Sequence, residues 1–269
     1  MKKNLCALDM KTYNPCILSE QGHGFHEGAS ICKRNGIYYM VYTDISRGKA
    51  SCLSYAISQY PLGPYEKKGV IIDNSGCDPQ NWNNHGSICE INGQWYVFYH
   101  RATHKSVFSR RVCVEPIYFD ENGMIKEVEM TVNGQDKEIL STVKMEASRA
   151  SRLNGSVHVG SFHDANGYRE VLTDIQNEDW AEFRYLTFSG ENRFFVEVGS
   201  STYGGCIVIH IDSLNGPVIG KAVIENTGGW ENYRCFSCSV AGVNGKKAVY
   251  LEFKGDQNRL FDIKRFWFE

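Results

Sequence analysis

Short β-forming runs, each cut off by Gly, Asn, Asp or Pro, constrain this sequence more than any other feature. Examples are "GIYYMVYTD", "ASCLSYAIS", "SICEINGQWYVFYHR", "VCVEPIYFD", "CIVIHID" and "AVYLEFKG". Tyr, Phe, Val, Ile and Thr fit a pleated, half-buried surface, and the breakers mark where strands stop. No long stretch holds apolar residues at i, i+3, i+4 and i+7, so helices cannot supply the framework. The fold class is therefore all-β. Two Asn-Gly pairs, Asn35-Gly36 and Asn92-Gly93, each separate two apolar runs. Both residue types tolerate positive φ, so each pair predicts a tight hairpin.

Two textures follow one another along the chain. Up to about residue 130 the strands are rich in Tyr, Phe, His and Arg; from about 145 they are aliphatic with Gly-rich turns. The polar stretch "KEVEMTVNGQDKEILSTV" between them reads as a connector. The expected division is 1–140 and 141–269. The first part also repeats. "GASICKRNGIYYMVYT" and "HGSICEINGQWYVFYH" share small–Ser–Ile–Cys, an Asn-Gly pair and an aromatic strand, with Ser30 and Ser87 57 positions apart. A propeller blade takes about 40–50 residues, so this spacing suits successive blades with an insertion, or two similar hairpins.

The bulk properties remove several classes. The chain has 269 residues, 42% hydrophobic and 22% charged, with a formal net charge of −2. Nucleic acid or a membrane surface would call for a basic patch, so neither is an expected partner. No apolar run nears the ~20 residues that span a bilayer. The start "MKKNLCALDMKTYNP" lacks the apolar core of a signal peptide. Ten cysteines lie mostly within apolar runs and read as free thiols rather than a disulfide scaffold. Cys235 and Cys238 are the one C-x-x-C pair, which without a second pair argues only weakly for zinc.

The segments "HEGASICKRNGIYYMVYT", "LSYAISQYPLGPYEKKGVII", "NNHGSICEINGQWYVFYHR" and "FSRRVCVEPIYFDENGMIKEVEMT" follow in an order that resembles the second half of a glycoside hydrolase family 43 domain. That resemblance implies a five-bladed β-propeller and an inverting hydrolase of the β-xylosidase and α-L-arabinofuranosidase type. The substrates would be O-glycosidic bonds of xylan- or arabinan-type plant polysaccharides. An inverting glycosidase uses one carboxylic acid to protonate the leaving oxygen and one carboxylate to activate water. The acid slot falls on Glu27, with Phe25 and neighbouring aromatics placed to desolvate it. On the residues alone Glu27 reads more readily as a solvated turn carboxylate. His85 matches a histidine near the propeller axis, where the family commonly carries a metal ion or its water shell. Arg110 matches an arginine near the sugar, where a planar guanidinium suits paired hydroxyls. Arg111 would face the other side of the strand. Glu115 reads as structural, and His100 and Arg101 as strand-end candidates for a subsite.

The resemblance also implies a gap. The family's base aspartate and its tuning aspartate lie upstream of the acid, yet only 26 residues precede Glu27, with Asp9 the sole aspartate among them. Neither has a counterpart. The expectation is an N-terminally truncated family member, weak or inactive alone, with a second chain supplying the missing blades as one alternative. Its substrate implies secretion, with any signal in the missing part.

From about 145 onward, "TDIQNEDWAEFRYLTFSG", "ENTGGWENY" and "LFDIKRFWFE" resemble a family 6 carbohydrate-binding module, a β-sandwich of jelly-roll type. Such modules stack sugar faces on aromatic rings. Trp230 matches the platform tryptophan, the usual tyrosine slot falls on Asp174, and the usual asparagine slot falls on Asp262. Tyr168 could serve as the partner ring only through a loop rearrangement. Trp180 and Trp267 read as core. The implied cofactor is calcium, structural or at the propeller axis, with Glu146 as a candidate ligand. The alternative function is a non-catalytic carbohydrate-binding protein.

Overall fold

The computed structural model describes residues 14, 16–78, 83–164 and 167–269; Cys6 and Asp9 lie outside them. Strands make up the framework, and the longest helix described is the single turn α1 (Glu20–His23), capped by the Ser19 hydroxyl.

The described residues divide into two compact units. The first comprises those of Met1–Asp73, Asn83–His100 and Pro116–Glu129. Its main sheet has the order β1 (Phe25–Arg34), β2 (Ile37–Asp44), β3 (Cys52–Ser58), β4 (Glu66–Asp73), antiparallel throughout. A three-stranded sheet has the order β5 (Gly86–Ile91), β6 (Gln94–Thr103), β7 (Ser106–Ile117); its residues up to His100 count with this unit, and Arg101–Glu115 with the second. Asn35 and Gly36, at φ 48° and 85°, turn β1 into β2; Asn92 and Gly93, at 52° and 82°, turn β5 into β6. Both Asn-Gly pairs thus form the two-residue hairpin loops their chemistry favours. The inner strands β2 and β3 are buried along most of their length. Their tyrosines place rings in the core and hydroxyls on backbone. Tyr39 donates to the Gly123 carbonyl at 2.8 Å, and Tyr55 accepts the Ile125 N–H at 2.8 Å. That double use explains why these strands are tyrosine-rich rather than leucine-rich.

The second unit holds Asn74–Trp82 where described, Arg101–Glu115 and Met130–Glu269. Eleven further strands build it: β8 (Met145–Glu146), β9 (Arg152–Asn154), β10 (His158–Asp164), β11 (Gly167–Thr173), β12 (Trp180–Ser189), β13 (Arg193–Ser200), β14 (Gly205–Ile211), β15 (Val218–Ile224), β16 (Gly229–Ser239), β17 (Asn244–Lys254) and β18 (Asp262–Phe268). One sheet runs β10-β11-β18-β13-β16, with β8 on β18; the other runs β15-β14-β17-β12-β9. The two sheets share one apolar core, so this unit is a β-sandwich. Strand β13 shows the period-2 logic: Phe194, Val196 and Val198 are buried while Arg193, Phe195 and Glu197 are not. Phe183 meets Phe266 at 4.7 Å and Phe188 meets Phe268 at 4.9 Å between ring centroids.

Three expectations need adjusting. The polar stretch read as a connector is docked on the sandwich: Val132 and Ile139 enter its core, and Ser141 N–H donates to the Thr187 carbonyl at 2.9 Å. Trp267 is buried, but it lies between Phe266 and Phe268 in sequence and so faces the other side of the sheet. There it stacks on Phe195 at 5.3 Å with Lys144 over its ring. Trp180 is only half-buried, tilted against Tyr250. The nine described cysteines are all free, with Cys52, Cys77 and Cys206 buried.

Candidate active site and carbohydrate surface

Glu27 sits on an irregular stretch of β1. The register against β2 shifts between Phe25 and Glu27 and again between Glu27 and Ser30. Gly28 lies between those shifts at φ +65°, a conformation that disfavours any residue with a Cβ. A Cβ there would also lie 2.4 Å from the His85 ring. The glycine after the acid therefore does two jobs: it bends the strand and lets the imidazole in. His85 Nε2 is 3.3 Å from Glu27 Oε1, and Asn83 Nδ2 donates to the same oxygen at 3.2 Å. His85 in turn meets His100 edge-on at 5.8 Å between centroids. Asn84, next in line, accepts the Thr43 hydroxyl on its carbonyl at 2.5 Å and donates to the Ser51 carbonyl at 2.8 Å. Those bonds tie the "NNHG" stretch to β2 and to the loop before β3. A third tie comes from the Ser30 hydroxyl, which donates to the Gly86 carbonyl at 3.2 Å.

The expected desolvation of Glu27 is not built here. Its side chain is 46% exposed, and the Phe25 ring packs on Tyr42 at 5.6 Å. A cavity of about 580 Å³ lies elsewhere, beside α1 and against Ile45, Ser46 and Lys67. Behind it is the one buried carboxylate of β2. Asp44 receives Lys67 Nζ and the Ser46 N–H, each at 2.5 Å. Burial pushes its carboxyl up, and these bonds outweigh that and hold it below the usual range.

Arg110 belongs to the second unit. It is exposed, and its Nε donates to the Val107 carbonyl at 2.9 Å. Arg111, on the opposite side of β7, is tied down by the Ser148 carbonyl and by Glu170. Arg101, expected as a subsite candidate, is buried and donates to the Ala150 carbonyl at 2.6 Å, a framework role. Glu115 is buried and accepts the Thr131 N–H and hydroxyl at 2.7 and 2.9 Å.

In the sandwich, "ENTGGW" folds as its composition demands. Thr227 exchanges bonds with Ser200, donating its hydroxyl to the carbonyl and accepting the Ser200 N–H. Asn226 accepts the Gly228 N–H at 2.7 Å and donates to the Thr202 carbonyl at 2.7 Å. Gly228 takes φ +89°, and at position 199 a Cβ would run into the Trp230 carbonyl. Only glycine fits there, so β16 can close on β13. Trp230, half-buried at the start of β16, has the Arg259 guanidinium 3.9 Å from its ring centroid. Arg259 Nη2 donates to Asp262 at 2.7 Å and to the Thr173 hydroxyl at 2.9 Å, and Asp174 flanks its Nε at 3.8 Å. Tyr168 is exposed and bonds His104 through its hydroxyl. Sequence reading missed Arg259, although Asp174 and Asp262 in two unusual slots were a signal that a cation stands between them.

Calcium takes six to eight oxygen ligands. Among the described residues no group of three or more His, Cys, Asp or Glu side chains converges. Glu146 faces Arg265 at 3.9 Å and lines a cavity with Arg169 and Lys264, a wall that repels a further cation. Among the described residues these side chains do not fit a calcium ion. Cys235 and Cys238, three apart on β16, point to opposite faces of the sheet and share no such group.

Comparison with known proteins accounts for both textures. Residues 2–125 match the family profile "Glycosyl hydrolases family 43", and residues 146–269 match "Carbohydrate binding module (family 6)". The chain thus joins a family 43 glycosyl hydrolase segment to a family 6 carbohydrate-binding module. It is 31% identical over 268 residues to a xylosidase/arabinosidase from Thermoclostridium stercorarium, covering 87% of this chain and 54% of the relative. It is 27% identical to an arabinoxylan arabinofuranohydrolase from Paenibacillus polymyxa, covering 85% and 39%. Among solved structures, a Bacillus subtilis family 43 arabinoxylan arabinofuranohydrolase in complex with cellotetraose aligns at TM-score 0.54 and 26% identity. That alignment covers 91% of this chain and 54% of that one. The chain spans about half the length of the relatives it matches.

Proposed function

We propose that this chain is part of a glycoside hydrolase acting on xylan- or arabinan-type polysaccharides by inverting acid/base chemistry. The sheets of the first unit are read as blades of a five-bladed propeller, with the division from the sandwich at 140/141. Glu27 is the general acid. Asn83 and His85 hold one oxygen of its carboxyl, and the half-exposed side chain leaves the other for a leaving group. Arg110 offers its exposed guanidinium to sugar hydroxyls. The observation that carries this reading is the Gly28 bend, which brings His85 onto the acid within a segment matching family 43.

Inversion needs a second carboxylate roughly 6.5–9.5 Å from the acid to activate water. No aspartate of this chain matches that base, so the water-activating carboxylate comes from protein outside this sequence, either contiguous with it or on a second chain. The half-exposed Glu27 fits the same picture, since its desolvation is then left to the sugar and to those missing elements. The chain alone should therefore release little xylose or arabinose from 4-nitrophenyl glycosides, down by about 10²–10⁴ in rate for loss of the base alone. Sugar release by the purified chain, abolished in Glu27→Gln, would refute the incomplete site. In-frame coding sequence upstream with two aspartate-bearing blades would support it.

A second reading rests on the sandwich. Its family match and the tryptophan at the head of β16 support carbohydrate binding with Trp230 as the stacking ring. Binding to xylan or arabinan that survives Trp230→Ala would remove Trp230 from that role.

A further inference from the structure

We propose that Arg259 is the specificity-determining residue of the sandwich: it occupies the face of Trp230 and closes that face to neutral sugars. This deepens the reading of Trp230 as the stacking ring and rests on it. A pyranose ring stacks on an indole at van der Waals distance. A guanidinium 3.9 Å from the ring centroid already fills that layer. Nothing can stack on that face until Arg259 leaves.

Arg259 is also anchored. Its Nη2 donates to Asp262 Oδ2 and to the Thr173 hydroxyl, and Thr173 in turn donates to Asp262 Oδ1 at 3.0 Å, closing a three-member ring of bonds. Asp262 is buried, so departure of Arg259 strands a buried carboxylate. Asp174 adds attraction from the Nε side, and itself sits within reach of Lys105 at 3.6 Å and His158 at 3.8 Å. The backbone is held too: the Thr202 hydroxyl donates to the Arg259 carbonyl at 3.1 Å. Displacement thus breaks a cation–π contact and a charge-assisted pair together, whereas one stacked neutral sugar returns only C–H contacts with the ring face.

The construction of the site makes a specific reversal available. Arg259→Ala alone leaves Asp262 buried and unpaired, and Asp262→Asn alone leaves the cation on the ring. Changing both removes the plug and the charge it answers. The test is calorimetric titration of the full chain with xylohexaose. The wild type is expected to bind weakly, and R259A/D262N at least about tenfold tighter, with the gain lost when W230A is added. Equal affinity in wild type and double variant, or a gain that survives W230A, overturns the proposal. A second measurement needs no variant: in the wild type the Trp230 indole N–H resonance should stay fixed as xylohexaose is added. A sugar-dependent shift of that resonance shows the ring already open, which overturns the plug and leaves the stacking role of Trp230 intact. An uncovered indole in R259A/D262N without any gain in affinity overturns the stacking role itself, and the proposal with it.

Discussion

Replacing Lys67 with methionine should destabilise the first unit strongly, because it strands the Asp44 carboxylate. Asp44 is fully buried at the end of β2, while Lys67 on β4 is 27% exposed. Removing one partner of a buried pair costs about 3–5 kcal/mol when the charge left behind has no other help. Here Asp44 keeps the Ser46 N–H, and the partial exposure of Lys67 screens the pair. The expected loss is accordingly about 2–3 kcal/mol. Amide hydrogen exchange of Tyr42 and Thr43, which pair with Ser54 and Leu53, reads this unit alone. Exchange should accelerate about 30- to 160-fold at neutral pH. The double change D44N/K67M should recover most of the loss, since no charge then remains. The pH dependence has a defined sign. In the wild type the Asp44 carboxyl is held below its ordinary value, with burial opposed and outweighed by Lys67, Ser46 and Ser54. Its contribution is therefore complete above the unfolded value near ~3.9 and fades as pH falls through the folded one. In K67M burial prevails and the order reverses, so the gap between the two proteins should narrow on acidification. A gap that is constant with pH, or D44N/K67M no better than K67M, would refute the reasoning.

Other consequences are equally direct. Gly28→Ala should cost about 1–3 kcal/mol for a side chain at φ +65° and should shift the His85 ring resonances, because the new methyl overlaps the imidazole. Glu182→Gln should weaken the sandwich by about 1.5–3 kcal/mol in urea titrations. That buried carboxylate receives Arg184 Nε at 2.5 Å and the Tyr250 hydroxyl on the same oxygen, and a neutral amide oxygen accepts both more weakly than a carboxylate does. Thiol labelling of the native chain, mapped by mass spectrometry, should reach the exposed Cys16, Cys89 and Cys235 first and Cys52, Cys77 and Cys206 only on unfolding. Burial pushes the Cys52 and Cys77 thiols up to about 12 and about 11, which slows them further.

Where the sequence was informative, the signal was local. Asn35-Gly36 and Asn92-Gly93 encode positive φ in two adjacent residues, and nothing distant can alter that preference. "ENTGGW" was legible in part, since Asn226 accepts the Gly228 N–H within the loop, while Thr227 finds its partner 27 positions away at Ser200. Glu27 and His85 could be marked because each lies in its own recognisable stretch. The environment of Glu27 was not legible: Phe25 is two residues away, but its ring is drawn to Tyr42 on the neighbouring strand. Arg101 failed as a site candidate for the same kind of reason, since its partner carbonyl is 49 positions away. Arg259 was the largest omission. An arginine between Asn258 and Leu260 looks like a surface residue, and only the folded sandwich places it over Trp230.

The position of β18 governs how the module comes into being. This strand pairs with β11 on one side and β13 on the other, with β8 added beyond the β11 pairing. Its Phe266 and Phe268 supply rings to the shared core. Of the eleven strands of the sandwich it is the last to be synthesised, yet it stands inside its sheet. Until it arrives, β11 and β13 each wait with an open edge and the core lacks two of its largest side chains. The module therefore closes late: ten strands must stay apart from other chains, edges exposed, until the eleventh inserts between them. Any mutation that slows translation through Asp262–Phe268 lengthens that wait, and the cost would appear as aggregation during expression rather than as a change in the finished protein.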